Sequence, residues 1–235
     1  MELIDLKNKI IKSFVGNESD LGKILDIVER DVSIFPFNQY EHLLHHMINV
    51  DGITFEKYVE IRREYIRLNP NLWIFEISAP RGFGEGFAQT YVGAMCHELQ
   101  KPSKKLDENY NGEYDFWLNG IKIEVKASRV VDRNSDEPLY MKALSTDTKS
   151  AFLMNFQQLK PTCCDVFIWL AVFRNEIVVW VINSTVVLEH PLFSKGQHRG
   201  NHGNEGQMHI TDENISQLDM YKLTGDLKEA ILKQV

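Results

Sequence analysis

What this chain lacks narrows its class before any motif is read. Among 235 residues there are three cysteines, and two of them are adjacent, Cys163 and Cys164. Such a set makes a poor disulfide framework and points to a reducing cytoplasm rather than a cystine-stapled secreted domain. No run approaches the ~18 consecutive apolar residues of a membrane span. The opening Met1-Glu2-Leu3-Ile4-Asp5-Leu6-Lys7 has no basic stretch leading into an apolar one, so no signal peptide is expected. Basic excess is also missing: 26 Lys and Arg face 33 Asp and Glu, a net charge of −7. That balance argues against a nonspecific, histone-like nucleic-acid binder, whose affinity rests on the sequence-independent phosphate term. Residues 71–200 are close to neutral, with 14 basic against 15 acidic side chains. Neither an internal repeat nor a low-complexity tract is visible. Hydrophobic content of 43% is that of an ordinary globular protein.

The most informative segment is Tyr114-Asp115-Phe116-Trp117-Leu118-Asn119-Gly120-Ile121-Lys122-Ile123-Glu124-Val125-Lys126. Asn-Gly between two alternating runs predicts a type I′ hairpin, whose two central residues both need positive φ. With Asn119 and Gly120 as the turn, Leu118 faces Ile121 and Asp115 faces Glu124. Alternation assigns Tyr114, Phe116, Leu118, Ile121, Ile123 and Val125 to one face, and Asp115, Trp117, Lys122, Glu124 and Lys126 to the other. Directly opposed Cβ atoms lie roughly 4.5–5.5 Å apart, so two acids there repel unless a cation sits between them. The same residues also read as a solvated hairpin with Glu113 opposite Lys126 in an ion pair.

Upstream, Leu72–Ile77 reads as a short strand. It leads through Ser78–Gly86 into a helical pattern over Phe87–Leu99, with Glu85 in the first turn, where the helix dipole favours a carboxylate. The run Gly82-Phe83-Gly84-Glu85-Gly86 matches neither G-x-G-x-x-G nor a P-loop, and is read as shaping the turn that aims Glu85. Downstream, Thr148–Leu159 is expected to be helical, preceded by a strand near Leu139–Ala143. The runs Asp165–Phe173 and Glu176–Ile182 are expected to be buried strands joined at Arg174-Asn175. Before Asn69-Pro70 the pattern is helical over about 2–14, 20–33, 38–49 and 54–68, with Thr54 as an N-cap. The chain is therefore divided into a helical subdomain, 1–70, and a mixed α/β unit, 71–235, built on a central mixed sheet flanked by helices.

An early helix Glu followed by a hairpin reading Asp-x8-Glu-x-Lys resembles the PD-(D/E)xK nuclease superfamily, in particular its type II restriction endonucleases. Glu85, Asp115, Glu124 and Lys126 carry the resemblance, with Tyr114 standing where the motif's name has proline. It extends over residues 72–185 in order of elements. It implies a restriction-endonuclease-like fold and Mg²⁺-dependent, site-specific hydrolysis of double-stranded DNA to 5′-phosphate and 3′-hydroxyl ends, with Mn²⁺ able to substitute. It further implies a homodimer and a cognate DNA methyltransferase as genetic partner. By the resemblance, Asp115, Glu124 and the Val125 carbonyl would ligate Mg²⁺, and Glu85 would hold a second ion or a water. Lys126 would orient and help deprotonate the attacking water. Physical chemistry agrees with these roles: Mg²⁺ prefers oxygen ligands and needs only one or two carboxylates. A lysine beside a dication is moved toward base chemistry, because the ion disfavours its ammonium form.

Recognition candidates are Arg129 and Arg133 next to the hairpin, and Gln197, His198, Arg199 and Asn201 in a Gly-rich polar segment able to meet base edges. His198-x3-His202 lacks the cysteine pair a zinc site would need. Gln157 and Gln158 can support the metal site or cap a helix, and Lys101, Lys104 and Lys105 can touch phosphates. Two other readings stay open: a nuclease for mismatched or branched DNA, and a catalytically silent DNA-binding module.

Overall fold

Val166–Val172 is buried at every position, and this one strand organises the molecule. Its even-numbered residues (Val166, Ile168, Leu170, Val172) enter one core, and its odd-numbered ones (Phe167, Trp169, Ala171) enter another. A strand apolar on both faces is stable only when covered on both, so two layers must flank it. The computed structural model describes residues 3–16, 21, 46–196 and 205–235.

The sheet containing this strand has four members: β1 (Phe116–Leu118), β2 (Ile121–Arg129), β5 (Val166–Val172) and β6 (Ile177–Asn183). They lie in the order β1-β2-β5-β6, with β2 and β5 parallel and the other neighbours antiparallel. A second sheet, ordered β3-β4-β8-β7, comprises β3 (Val131–Asp132), β4 (Phe152–Leu159), β7 (Phe193–Lys195) and β8 (Gly206–Thr211). All its pairings are antiparallel. The core between the two sheets holds Phe156 stacked on Trp169 at 4.6 Å, with Trp180 edge-on to Phe156 at 6.5 Å. Each fully buried large apolar side chain here contributes about 1.5–3 kcal/mol.

Helices cover the other face of the first sheet. They include α1 (Leu3–Ser13), α2 (Phe55–Leu68), the single turn α3 (Leu72–Phe75), a π-helix (Gly82–Gln89) that runs into α4 (Thr90–Met95), and α6 (Leu227–Leu232). Ile10, Ile61, Tyr65, Ile74, Phe87, Val92 and Ile231 share one buried cluster with Ile123, Ile168 and Val181. Between β6 and β7 lies α5 (Ser184–Glu189), and a 3-10 helix (Ile215–Tyr221) follows β8. The fold is mixed α/β, three layers deep. Among the described residues no helix is long and apolar enough to cross a membrane.

Several expectations hold in detail. Asn119 and Gly120 both have positive φ, at 51° and 95°, and the register is Leu118 with Ile121, Trp117 with Lys122 and Phe116 with Ile123. Thr54 caps α2, accepting from the Lys57 N–H at 3.2 Å, and the helix ends at Asn69 before the proline. The apolar pair lies at β5 and β6. The helices expected over 20–33 and over most of 38–49 lie outside the described residues.

Four expectations are corrected. Leu72–Ile77 is not a strand but the turn α3, because Asn71 anchors it to the β5–β6 turn: its N–H and Nδ2 donate to the carbonyls of Arg174 and Phe173. Phe152–Leu159 is a strand, not a helix. Phe152, Met154 and Phe156 alternate inward at period 2, and the pattern breaks only at a bulge where Gln158 has φ 55°. The expected strand near Leu139–Ala143 is a turn with one isolated bridge from Ala143 to Val131. The helix expected from Phe87 begins earlier, at Gly82, and ends at Met95.

Gly120 has open space around its Cα, so substitution there tests backbone strain alone. Gly120→Ala is expected to lower stability by about 1–2 kcal/mol, the cost of a Cβ in the left-handed region. Urea unfolding checks this; an unchanged midpoint would show that the turn tolerates another geometry.

Candidate active site

The parallel pairing of β2 with β5 sets what each β2 side chain faces. Ile123, Val125 and Ala127 sit beside Val166, Ile168 and Leu170 and point into the helical core. Glu124, Lys126 and Ser128 sit beside Phe167, Trp169 and Ala171, so they point toward the second sheet. Where that sheet pulls away at the Gln157–Gln158 bulge, the face opens into a cleft of about 570 Å³. The π-helix residues Phe83, Gly84, Glu85 and Gln89 form one wall. Asp115, Glu124, Val125, Lys126 and Ala127 line it from the hairpin, and Asn155, Gln157 and Gln158 from β4.

Backbone groups along a strand alternate between its two edges. The Lys122 carbonyl accepts from Asp165 and the Val130 N–H donates to Val172, so even-numbered β2 residues face β5. Val125 therefore faces the β1 edge. Its N–H donates to Asp115 Oδ2 at 2.8 Å, and its carbonyl lies on the same edge, past the end of β1. Asp115 Oδ1 accepts from Gln89 Nε2 at 2.5 Å, and Gln89 Oε1 accepts from Lys101 Nζ at 2.5 Å. Lys101 also lies 4.3 Å from the centroid of the Phe116 ring. One lysine thus orients one carboxamide, which orients one acid.

Glu124 is 8% exposed and is paired with Lys126, whose Nζ lies 2.6 Å from Oε1. Burial pushes its carboxyl up to about 7 against the pull of Lys126, and the charge of Asp115 pushes in the same direction. The carboxyl of Asp115 is raised by burial, opposed by the Val125 N–H and by Lys126 and Lys101, and reinforced by Glu85. Glu85 itself is half-exposed on the cleft wall and bonded to Arg81 Nε at 2.7 Å. The donors gathered here, the buried Glu124 and half-buried Asp115 carboxylates and a backbone carbonyl with a third carboxylate on the wall, are all oxygens, which fits a hard divalent ion such as Mg²⁺. They do not form a finished cage: among the described residues no three His, Cys, Asp or Glu groups converge as ligands. The side chain of Glu124 is held by a lysine and that of Glu85 by an arginine.

Asp115, Glu124, Lys126, Val125 and Glu85 are thus brought to one cleft. Glu113 does not oppose Lys126; it lies 3.9 Å from Lys160 instead. Tyr114 leaves the shared hairpin face and packs on Tyr110 and Trp117 in the inter-sheet core, because β1 starts only at Phe116 and alternation does not reach it. Arg129 points away from the cleft floor. Its guanidinium donates to the Ile74 carbonyl at 3.0 Å and to the Ile77 carbonyl, and lies 3.8 Å from the Phe83 ring centroid. Arg133 pairs with Glu213 at 3.0 Å on the surface. Gln197, His198, Arg199 and Asn201 lie outside the described residues, as does His202. Gln157 and Gln158 reach the cleft from a strand bulge rather than a helix end. Two cleft residues escaped the sequence reading, Gln89 and Asn155. The first lies one turn beyond Glu85, and that spacing was a signal; Asn155 was hidden by the helical reading of its segment. No protein-family model matches the chain, and no curated protein matches it either.

The burial of Glu124 has a pH signature. A carboxyl raised from 4.5 to about 7 on folding favours the folded state while protonated, and that contribution is lost as pH rises through 7. Glu124→Gln does not titrate. Its Tm relative to wild type, in chelator, is therefore expected to rise by several degrees between about pH 5 and pH 8. A difference that stays constant with pH would show that Glu124 ionises in the fold without penalty.

Proposed function

We propose that the protein is a Mg²⁺-dependent endonuclease acting on double-stranded DNA, of the PD-(D/E)xK type. The observation that carries the reading is the meeting of Asp115, Glu124 and Lys126 on the lining of one open cleft, where burial raises both carboxyls and the charge of Asp115 raises that of Glu124 further. Leaving like charges desolvated side by side is costly without a cation to reconcile them. The low exposure of Glu124 makes the site a poor choice for mere solubility.

Asp115, Glu124 and the Val125 carbonyl would hold the ion, with Glu85 able to turn from Arg81 toward it. When bound, Mg²⁺ supplies charge neutralisation at the phosphate and a more acidic water. The chain's own residues do the rest. Gln89 and the Val125 N–H fix both oxygens of Asp115, so its orientation is set before substrate arrives. Lys126 would orient the attacking water and, having given up its ammonium proton to solvent beside the bound ion, would accept the water's proton. Lys101, exposed beside Gln89, meets a flanking phosphate. Cutting both strands of a palindromic site calls for two such centres related by a two-fold axis, hence a homodimer, and a methyltransferase of matching specificity would protect the host's own sites.

Incubated with unmethylated phage DNA and Mg²⁺, the protein is expected to produce discrete fragments with 5′-phosphate ends. Asp115→Ala and Glu124→Ala are expected to abolish them while DNA binding persists. In Lys126→Ala, cleavage falls by roughly 10²–10⁴-fold, the usual worth of a positioned acid–base group, with Mg²⁺ affinity largely kept. Wild-type cutting by either acid variant would remove the metal assignment. Normal turnover without the lysine would remove its role.

A further inference from the structure

A second groove, of about 360 Å³, opens alongside the cleft and shares Phe83, Ala127, Asn155 and Gln157 with it. Its walls are apolar, with Val131, Leu139 and Leu153 facing it. Among the described residues lining it the one cation is Arg129, whose guanidinium is turned to the backbone, with Nε and Nη2 donating to the Ile74 and Ile77 carbonyls. Phosphate is therefore not the natural ligand here; a flat, mostly apolar group with a polar edge is. The polar edge faces Asn155 and Gln157, two residues apart on β4 and so on the same side of the strand.

Asn155 is held in place by its backbone, whose N–H donates to Ser128 Oγ at 2.9 Å. Its carboxamide is less well served. Nδ2 reaches Gln207 Oε1 only at 3.5 Å, and Oδ1 is shut off from solvent with no hydrogen-bond partner. A stranded acceptor costs free energy until a donor reaches it. The torsion that would turn it into the groove, χ2 of asparagine, is broad. Gln157 adds an exposed carboxamide beside it. A carboxamide offers one acceptor and one donor side by side, the complement of the N6–H and N7 pair on adenine.

We propose that this groove is a base-reading subsite for adenine next to the scissile phosphate, with Asn155 and Gln157 as the reading groups. The assignment rests on the nuclease reading of the neighbouring cleft, and deepens it by naming a base and the residues that select it. Guanine presents two acceptors on that edge and would leave the amide oxygen facing another oxygen.

Two measurements on the full chain separate the subsite from the nuclease reading. In the first, without metal, dAMP, dGMP, dCMP and dTMP are titrated while the side-chain amide signals of Asn155 and Gln157 are followed by NMR. In the second, fragment ends from Mg²⁺ digests are sequenced for wild type, Asn155→Ala and Gln157→Ala. The expected result is that dAMP moves both amide signals most, and that wild-type ends share an adenine at one position beside the cut. The preference at that position alone falls by roughly 5- to 150-fold in the variants. Gln157 is exposed, so its variant reads selectivity without disturbing the core. Selective dAMP shifts without any DNA cutting would keep the subsite and sink the nuclease reading. Cutting with unchanged base preference in both variants, or equal or larger shifts from another nucleotide, would overturn the subsite.

Discussion

The register of β2 against β5 is the constraint on which the rest of this structure depends. Because β5 is buried on both faces, its alternation is committed in two directions at once, and β2 inherits that commitment through seven parallel pairs, from Ile123 with Val166 to Arg129 with Val172. A slip of one residue would expose Ile123 and Val125 to the inter-sheet side and drive Glu124 into the helical core, so the register is strongly specified. The hairpin turn enforces the same answer locally, since positive φ at Asn119 and Gly120 allows only one closure of β1 on β2. Local turn chemistry and long-range burial agree, and that agreement holds Asp115 and Glu124 near each other despite their repulsion.

The cleft is consequently a place where the fold accepts an unfavourable arrangement. Glu124 is buried with its charge compensated by one lysine, and Asp115 is half-buried with its oxygens taken by a carboxamide and a backbone N–H. Neither acid is left unpartnered, which is what makes them tolerable, but only Glu124 has a cation in direct contact; Asp115 is held by neutral donors. The eight-residue π-helix beside them has a related character. π-turns are costly and cluster at functional sites; here one carries Glu85, Gln89 and the Phe83 that stacks on Arg129.

Legibility followed sequence separation. The hairpin lies within about a dozen residues, and its turn and the three pairs from Leu118–Ile121 to Phe116–Ile123 are legible, though alternation fails at Tyr114; β5 and β6 are legible too, since their continuous apolarity leaves little else they can be. The segment Thr148–Leu159 was misread because Ala151, Phe152, Phe156 and Leu159 satisfy helical spacing while Phe152, Met154 and Phe156 satisfy strand spacing. Pairing with β8 decided the matter, through Met154 with Ile210 and Phe156 with Met208, and no local signal announces that partner. Leu72–Phe75 was misread for the same reason, its conformation being imposed by Asn71 bonded to Phe173 and Arg174 about a hundred residues away.

By itself the sequence determined the composition of the acid–acid–lysine set and the turn that brings it together, because positive φ and period-2 burial are properties of neighbouring residues. Only the tertiary structure decided that the far wall of the cleft is a bulged strand carrying Asn155 and Gln157, that Gln89 and Lys101 orient Asp115, and that Arg129 braces α3 rather than facing the cleft. Those outcomes depend on which distant surfaces bury each other, and burial free energy, being non-directional, leaves no local mark in the chain.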